Sequence, residues 1–377
     1  MKPLPEPVRG GTFENLKKLY PGLDEEGLTL AYGWEISSLG AGPFIVLVVI
    51  GESGTGKSTV VEMTGDLIDP NAAGLRSPSK DERDLFIAAS NRYNVVVDNV
   101  SHIPSWLSDA YCRLATGGGF ATRELYTDDG EKIIAAMRPI ILNGIEDFIV
   151  RGDLADRAVT VSTQPISDED RLAQGEMKDI FKKEHAAVLG FLLDSVANGL
   201  KNLPATKTKL KEKPRMADAA IWITACEEGM GVPMTFLNAF RANREALNET
   251  LLSNDTIASA IRKLVGEKGR WIGEATELHR ELGYLVDDEV RRSKNWPKAP
   301  NALSGRVRRV APTLRTQGYE IVNHDKTRTE PKRIEITGPG YQPGLDLKPV
   351  PNKTKIEGAY DESVPPVGDV DDEEIPF

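Results

Sequence analysis

Cysteine is scarce: Cys112 and Cys226 are the only two in 377 residues, far apart and without paired spacing. That excludes a disulfide framework and points to a reducing compartment. Histidine is also sparse. His102, His185, His279 and His324 are scattered and make no metal-ligand cluster. Long apolar runs are missing as well: the longest, residues 44–50, is far too short to span a bilayer. The first residues, Met1-Lys2-Pro3-Leu4-Pro5-Glu6-Pro7, have no apolar segment of the signal-peptide type. These absences predict a soluble, cytoplasmic protein. A hydrophobic content of 40% is ordinary for a globular chain, and the length allows two or three domains.

Acidic residues outnumber basic ones, and a net charge of −10 argues at first against nucleic acid as a partner. The charge is unevenly spread, however. Residues 338–377 hold nine acids and three bases, whereas residues 291–333 hold twelve bases and three acids. Such polarity predicts a basic binding face and an acidic appendage.

Periodicity divides the chain further. Residues 1–40 read as a short helical leader, with helical stretches at 14–20 and 25–39. From 41 to 165, β-branched runs at 44–50, 94–98, 138–143 and 157–162 alternate with helical patterns. That alternation predicts an α/β domain around a mostly parallel sheet. Residues 166–252 are nearly all helical, and the basic stretch 207–215 with Pro214 predicts a loop. A small mixed domain is expected over 253–337. Beyond 338, Pro, Gly and acids replace core-forming residues, which predicts a disordered tail.

The strongest chemical signal follows the first strand. Gly51-Glu52-Ser53-Gly54-Thr55-Gly56-Lys57-Ser58-Thr59 satisfies the Gly-x-x-x-x-Gly-Lys-Ser/Thr phosphate-loop pattern. Its glycines let backbone N–H groups converge on phosphates at a helix N-terminus. In this reading Lys57 reaches the β- and γ-phosphates of ATP and Ser58 binds Mg²⁺. About forty residues on, Val95-Val96-Val97-Asp98 ends a strand on a carboxylate suited to holding the metal shell. Asn99 follows, where a second carboxylate would activate water. The base therefore stays open among Glu52, Glu82 and Asp84, each of which also reads as a surface acid. Pro139-Ile140-Ile141-Leu142-Asn143 places an amide where it could orient water, or where it merely begins a turn. Arg157, before the last strand, is a candidate arginine finger for a neighbouring subunit. Arg151 competes for that role, and a local ion pair of Arg157 with Asp153 or Asp156 is the plainer alternative.

Between Asp98 and Asn143 lies Leu114-Ala115-Thr116-Gly117-Gly118-Gly119-Phe120-Ala121-Thr122-Arg123-Glu124-Leu125-Tyr126. This resembles the B′ motif of superfamily 3 helicases of phages, plasmids and small DNA viruses. The order of phosphate loop, metal acid, B′ segment, amide and arginine also matches that superfamily over residues 44–163. The chain is likewise similar to the motor and winged-helix half of phage and mobile-element primase-helicases. The resemblance implies an AAA+-type P-loop core forming a ring, usually a hexamer, with ATP sites between subunits and DNA in the channel. It further implies a DNA-gripping hairpin turning at Asp128-Asp129-Gly130, with Arg123 and Lys132 as the nearest positive charges. An acidic tip departs from that pattern, and residues 1–40 are too short for a primase domain.

In the basic region, residues 271–285 read as an amphipathic helix with Leu278 and Leu282 inward. Leu303, Val307, Val310 and Leu314 line one face of a second helix over 301–316, while Arg306, Arg308, Arg309 and Arg315 occupy the others. Pro312 is expected to kink or end it. Strands at 320–323 and 333–336 complete a helix–helix–hairpin order that predicts a winged helix. Lys326, Arg328 and Lys332 would lie in its wing; a protein-interaction module with a solvated basic face is the alternative. The chain closes on Asp371-Asp372-Glu373-Glu374-Ile375-Pro376-Phe377. That peptide resembles the tip of bacterial single-stranded-DNA-binding proteins, which implies that Ile375, Pro376 and Phe377 dock host replication or repair proteins.

Overall fold

The computed structural model describes residues 2–341 except 73, 124–130, 146–147, 150, 168, 170, 212, 295 and 327–330. Two short helical elements open the chain, α1 (Phe13–Lys17) and α2 (Glu25–Ser38). An alternating segment follows: β1 (Val46–Ile50), α3 (Lys57–Ile68), α4 (Glu82–Ser90), β2 (Val95–Val97) and α5 (Ser105–Thr116). It continues with β3 (Gly118–Arg123), β4 (Glu131–Ala136), β5 (Ile140–Asn143), α6 (Gly152–Ala155) and β6 (Ala158–Ser162). Next come three helices, α7 (Gln174–Lys209), α8 (Ala217–Glu227) and α9 (Phe236–Asn254). The last segment holds α10 (Thr256–Lys268), β7 (Arg270–Gly273), α11 (Ala275–Tyr284), α12 (Asp288–Arg292), α13 (Pro300–Thr316), β8 (Glu320–His324) and β9 (Arg333–Thr337).

The α/β expectation holds. β2, β5, β1 and β6 lie in that order in one wholly parallel sheet. Alternate residues of β1 feed two different cores: Leu47 and Val49 join the cluster containing α2, while Val46 and Val48 join the one containing α5. A sheet buried on both faces accounts for the unbroken apolar run of this strand. Among the described residues, no helix is long and apolar enough to cross a membrane.

The reading of residues 1–40 as a leader requires correction. Leu30, Tyr32, Trp34 and Ile36 of α2 are almost wholly buried, and Trp34 Nε1 donates to the Ile140 carbonyl of β5 at 3.2 Å. A helix apolar on every side belongs inside a fold. Asp24 starts it by accepting the Gly27 N–H at 2.8 Å. The loop expected at 207–215 also begins later, because α7 continues through Pro204 to Lys209. Packing on α8 sustains it: a Cβ on Gly199 would lie 2.2 Å from Cys226 Sγ, so the two helices meet where only hydrogen fits.

In the last segment, Trp271 is not helical. It lies in β7, paired with Ile336 of β9, which also pairs with Ile321 of β8. These three buried side chains form one row facing α10, α11 and α13. The pairing partner lies more than sixty residues downstream, so strand partnership overrides the local helical pattern. Within the same core are Leu278 and Leu282 of α11 and Leu303, Val307, Val310 and Leu314 of α13, as the spacing predicts. Pro312 does not end α13. Its ring lies on the exposed side, and buried Leu314 holds the final turn.

Candidate functional site

The glycine-rich segment links the C-terminal end of β1 to α3, so the first turn of that helix faces a cavity of about 380 Å³. Gly56 caps α3 with φ of +79°, a left-handed conformation that costs little without a Cβ. At Gly51 the constraint is contact, since a Cβ there would stand 2.3 Å from Thr163 Oγ1. Thr163, just beyond β6, bonds Thr55 Oγ1 at 2.7 Å, and Thr55 in turn donates to the Glu52 carbonyl at 2.9 Å. Sequence reasoning missed this brace. Thr163 lies more than a hundred residues from Thr55, and no local pattern marks it.

Lys57 is 8% exposed and donates to the Glu52 carbonyl. Burial lowers its ammonium pKa from the ordinary value, and the Asp98 and Glu52 carboxylates oppose that shift. Ser58 Oγ donates to Asp98 Oδ1 at 3.3 Å. Asn143 Nδ2 reaches Ser58 Oγ at 3.2 Å and also donates to Asp98 Oδ1. Three residues spread over 86 positions of the chain therefore converge, because β5 lies between β1 and β2. Asn143 is 2% exposed, and its Oδ1 is buried with no partner among the described residues.

Ser53, Gly54, Thr59, Asn99, Gly144 and Ile145 complete the lining. Asn99 has φ of +58°, the one positive value among the described non-glycine residues. Asparagine tolerates this conformation better than most residues. Glu52, Glu82 and Asp84 do not line the cavity, and Glu82 is ion-paired with Arg113. Asp98 is the one carboxylate among the described lining residues. A helix N-terminus, one ammonium, and paired hydroxyl and carboxylate oxygens can together hold a polyanion accompanied by a hard divalent cation. Among the described residues no group of three or more His, Cys, Asp or Glu side chains could hold a metal. The Ser58–Asp98 pair suits a cation such as Mg²⁺, which takes few protein ligands and keeps its waters.

Arg157 stands at the opposite, N-terminal end of the strands. Its carbonyl accepts the Val46 N–H at 2.9 Å at the start of β1, a strand roughly 16 Å long by its five residues. Its Nη1 donates to the Asp153 carbonyl at 2.6 Å rather than to a carboxylate. The expected local ion pairs go elsewhere. Asp153 and Asp109 take Arg151 at 3.0 and 2.8 Å, while Asp156 takes Arg215 at 2.7 Å and Arg244 at 2.8 Å.

Strands β3 and β4 pair antiparallel, with Thr122 opposite Lys132 and Arg123 opposite Glu131. Phe120 anchors this pair by stacking on Phe86, with centroids 5.8 Å apart. The turn expected at 128–130 lies outside the described residues.

On α13, the four candidate arginines separate. Arg306 turns back to Asp255 at 3.0 Å, and Arg315 Nη2 donates to the Ile321 carbonyl at 3.2 Å. These two are engaged in holding the fold. Arg308 and Arg309 are exposed, as is Lys326 beyond β8. Lys332 lies 3.6 Å from Asp325. Arg328 and the terminal Ile375, Pro376 and Phe377 lie outside the described residues.

Two family models match the chain. Residues 16–250 match the actinomycete integrative conjugative element replication protein, and residues 257–350 match the AICE RepA C-terminal domain. Among curated proteins, none matches. Among solved structures, the chain is similar to SCCmec type IV Cch, described as an active helicase. Identity is 14%, with 88% of this chain and 71% of that one covered at a TM-score of 0.44. It is also similar to the apo A form of the NrS-1 C-terminal region, at 15% identity, 90% and 80% coverage and a TM-score of 0.40. The first family model alone spans more than half of the 377 residues, so the chain belongs to the replication proteins of actinomycete integrative conjugative elements.

Proposed function

We propose that this chain is an ATP-dependent DNA helicase or translocase of superfamily 3 type, acting in the cytoplasm to replicate its mobile element. The observation that carries this reading is the meeting of Ser58, Asp98 and Asn143 at the mouth of the glycine-loop cavity. In this reading Gly51–Thr59 is a P-loop in an AAA+-type core, whose backbone N–H groups and Lys57 hold the triphosphate. Ser58 and Asp98 hold Mg²⁺, which when bound draws charge from the phosphate oxygens. Asn143 orients the attacking water through its amide without adding charge to the site.

Arg157 lies at the far end of the strands from its own cavity, so as an arginine finger it would act on a neighbouring subunit's nucleotide. That arrangement fits a ring, with six copies as the expected number. The β3–β4 hairpin would grip DNA in the channel through Arg123 and Lys132. The last segment, read as a winged helix, would bind duplex or forked DNA through Arg308, Arg309 and Lys326. Ile375, Pro376 and Phe377 would recruit host replication proteins, and losing those residues would abolish pull-down of such partners.

A strand-displacement assay on forked DNA tests the main reading, with Lys57→Ala as the inactive control. The expected result is ATP-dependent unwinding by the native chain alone. DNA-stimulated ATP hydrolysis without unwinding would favour a second reading, a DNA-bound ATPase that loads or remodels other proteins. The observation behind that alternative is the lone carboxylate, Asp98, among the described lining residues.

A further inference from the structure

Arg308 and Arg309 project from α13 into solvent, whereas Arg306 and Arg315 are engaged. They belong to the stretch 291–333, whose twelve bases and three acids are unlike the rest of this acidic protein. Residues 342–377 carry nine acids and three bases, with four of the acids consecutive at Asp371-Asp372-Glu373-Glu374. Two segments of opposite sign are thus joined by a short connection.

The exit of the chain sets the distance. After β9, Pro339 packs against the glycine that follows α13: a Cβ on Gly318 would lie 3.4 Å from Pro339 Cβ. Tyr341 then folds over Arg270, with the guanidinium carbon 5.9 Å from the ring centroid. Pro339 thus brings the last described residues beside the C-terminal end of α13. Arg308 lies nine positions before Gln317, roughly 14 Å back along the helix at 1.5 Å per residue. A random coil of thirty residues, the number separating Tyr341 from Asp371, would have a root-mean-square reach of roughly 30 Å. Such a reach exceeds the separation, and a tether of this length would hold the acids near this face at an effective concentration on the order of millimolar.

We propose that residues 357–377 dock on the α13 face at Arg308 and Arg309 and compete there with nucleic-acid phosphate. The consequence for DNA rests on the reading of this face as a DNA-binding surface; the docking itself does not. Each contact is between exposed charges, so the association is weak and falls with salt. A weak internal competitor suits regulation. It lowers occupancy of the face by scattered DNA and yields to forked or multivalent DNA that makes more phosphate contacts.

The test uses the full chain with its tail acids neutralised by Asp371→Asn, Asp372→Asn, Glu373→Gln and Glu374→Gln. A labelled peptide of residues 357–377 is titrated onto this chain and onto the same chain carrying Arg308→Glu and Arg309→Glu. Binding is read by fluorescence anisotropy at two salt concentrations, with thermal melting to verify that the exposed arginine changes leave the fold intact. Salt-sensitive peptide binding lost in the Arg308/Arg309 variant is the expected result. No binding, or equal binding to both chains, overturns the docking. Labelled duplex DNA is then titrated onto native and neutralised-tail chains, and the neutralised chain is expected to bind about tenfold more tightly at low salt. Equal affinities would overturn the competition. Peptide binding with no DNA binding to either chain would leave the docking standing and sink the DNA-binding reading instead.

Discussion

Asn243 and Thr160 exchange two hydrogen bonds: the Thr160 N–H donates to Asn243 Oδ1 at 2.8 Å, and Asn243 Nδ2 donates to the Thr160 carbonyl at 2.6 Å. The side-chain amide of α9 thus satisfies the outer edge of β6 as a further strand would. Covering an edge also blocks its pairing with other chains. Asn243→Leu removes both partners from a half-buried backbone pair, with an expected cost of about 2–4 kcal/mol in urea unfolding. A loss under about 0.5 kcal/mol would show that water replaces the amide freely.

Asn143 donates to Asp98, and an aspartate at 143 cannot do so while ionised. Asn143→Asp places two carboxylates together, which raises the pKa of one of them. We expect ATP hydrolysis to fall about 10²-fold, with the remaining activity acquiring a new dependence on pH. A steady-state rate profile across pH checks both effects. Retained native activity would remove Asn143 from the role proposed for it.

Glu35 is fully buried, accepts the Tyr20 hydroxyl at 2.8 Å, and keeps Oε2 without a partner among the described residues. Burial pushes its pKa up to about 8 from 4.5, and the Tyr20 hydrogen bond opposes the shift. The folded protein therefore holds this proton more tightly than the unfolded chain. The stabilisation is complete below about pH 4.5, declines as pH rises, and is gone above about pH 8. Glu227, pushed up to about 7 by burial, loses its contribution over a lower window. Glu35→Gln should flatten the decline in Tm between about pH 4.5 and about pH 8. An unchanged slope would assign the pH dependence to other groups.

The last segment meets α9 through both charge and apolar packing. Glu249 accepts Arg262 at 2.7 Å, but both groups are substantially exposed; Leu252 is 1% exposed inside the C-terminal core. Glu249→Ala should cost under about 1 kcal/mol. Leu252→Ala should cost about 2–5 kcal/mol. Chemical unfolding of the two variants checks the ranking, and a reversed order would make the ion pair the principal attachment.

Much of this architecture is written in short-range pattern. The apolar runs around Val48, Val96, Leu142 and Val159 mark four strands, and the glycines before Lys57 mark the turn after the first. The spacing of Leu303, Val307, Val310 and Leu314 orients α13 correctly, because helical periodicity is a local property. Trp271 fails this test. In a four-residue strand, identity depends on the distant Ile336 rather than on neighbours in sequence. The roles of the α13 arginines were hidden for the same reason, since nothing near Arg306 in sequence reveals Asp255 as its partner.

The glycine-rich loop, the sign of each charged segment and the faces of the longer helices were determined by the sequence alone, since each depends on residues within a few positions of one another. Tertiary structure decided that β5 inserts between β1 and β2, bringing Asn143 against Ser58 and Asp98. It also decided that Arg157 stands at the far end of the strands and that Thr163 braces Thr55. The physical reason is strand order: backbone hydrogen bonding pairs segments far apart in the chain, and the resulting order fixes which strand ends share a cavity.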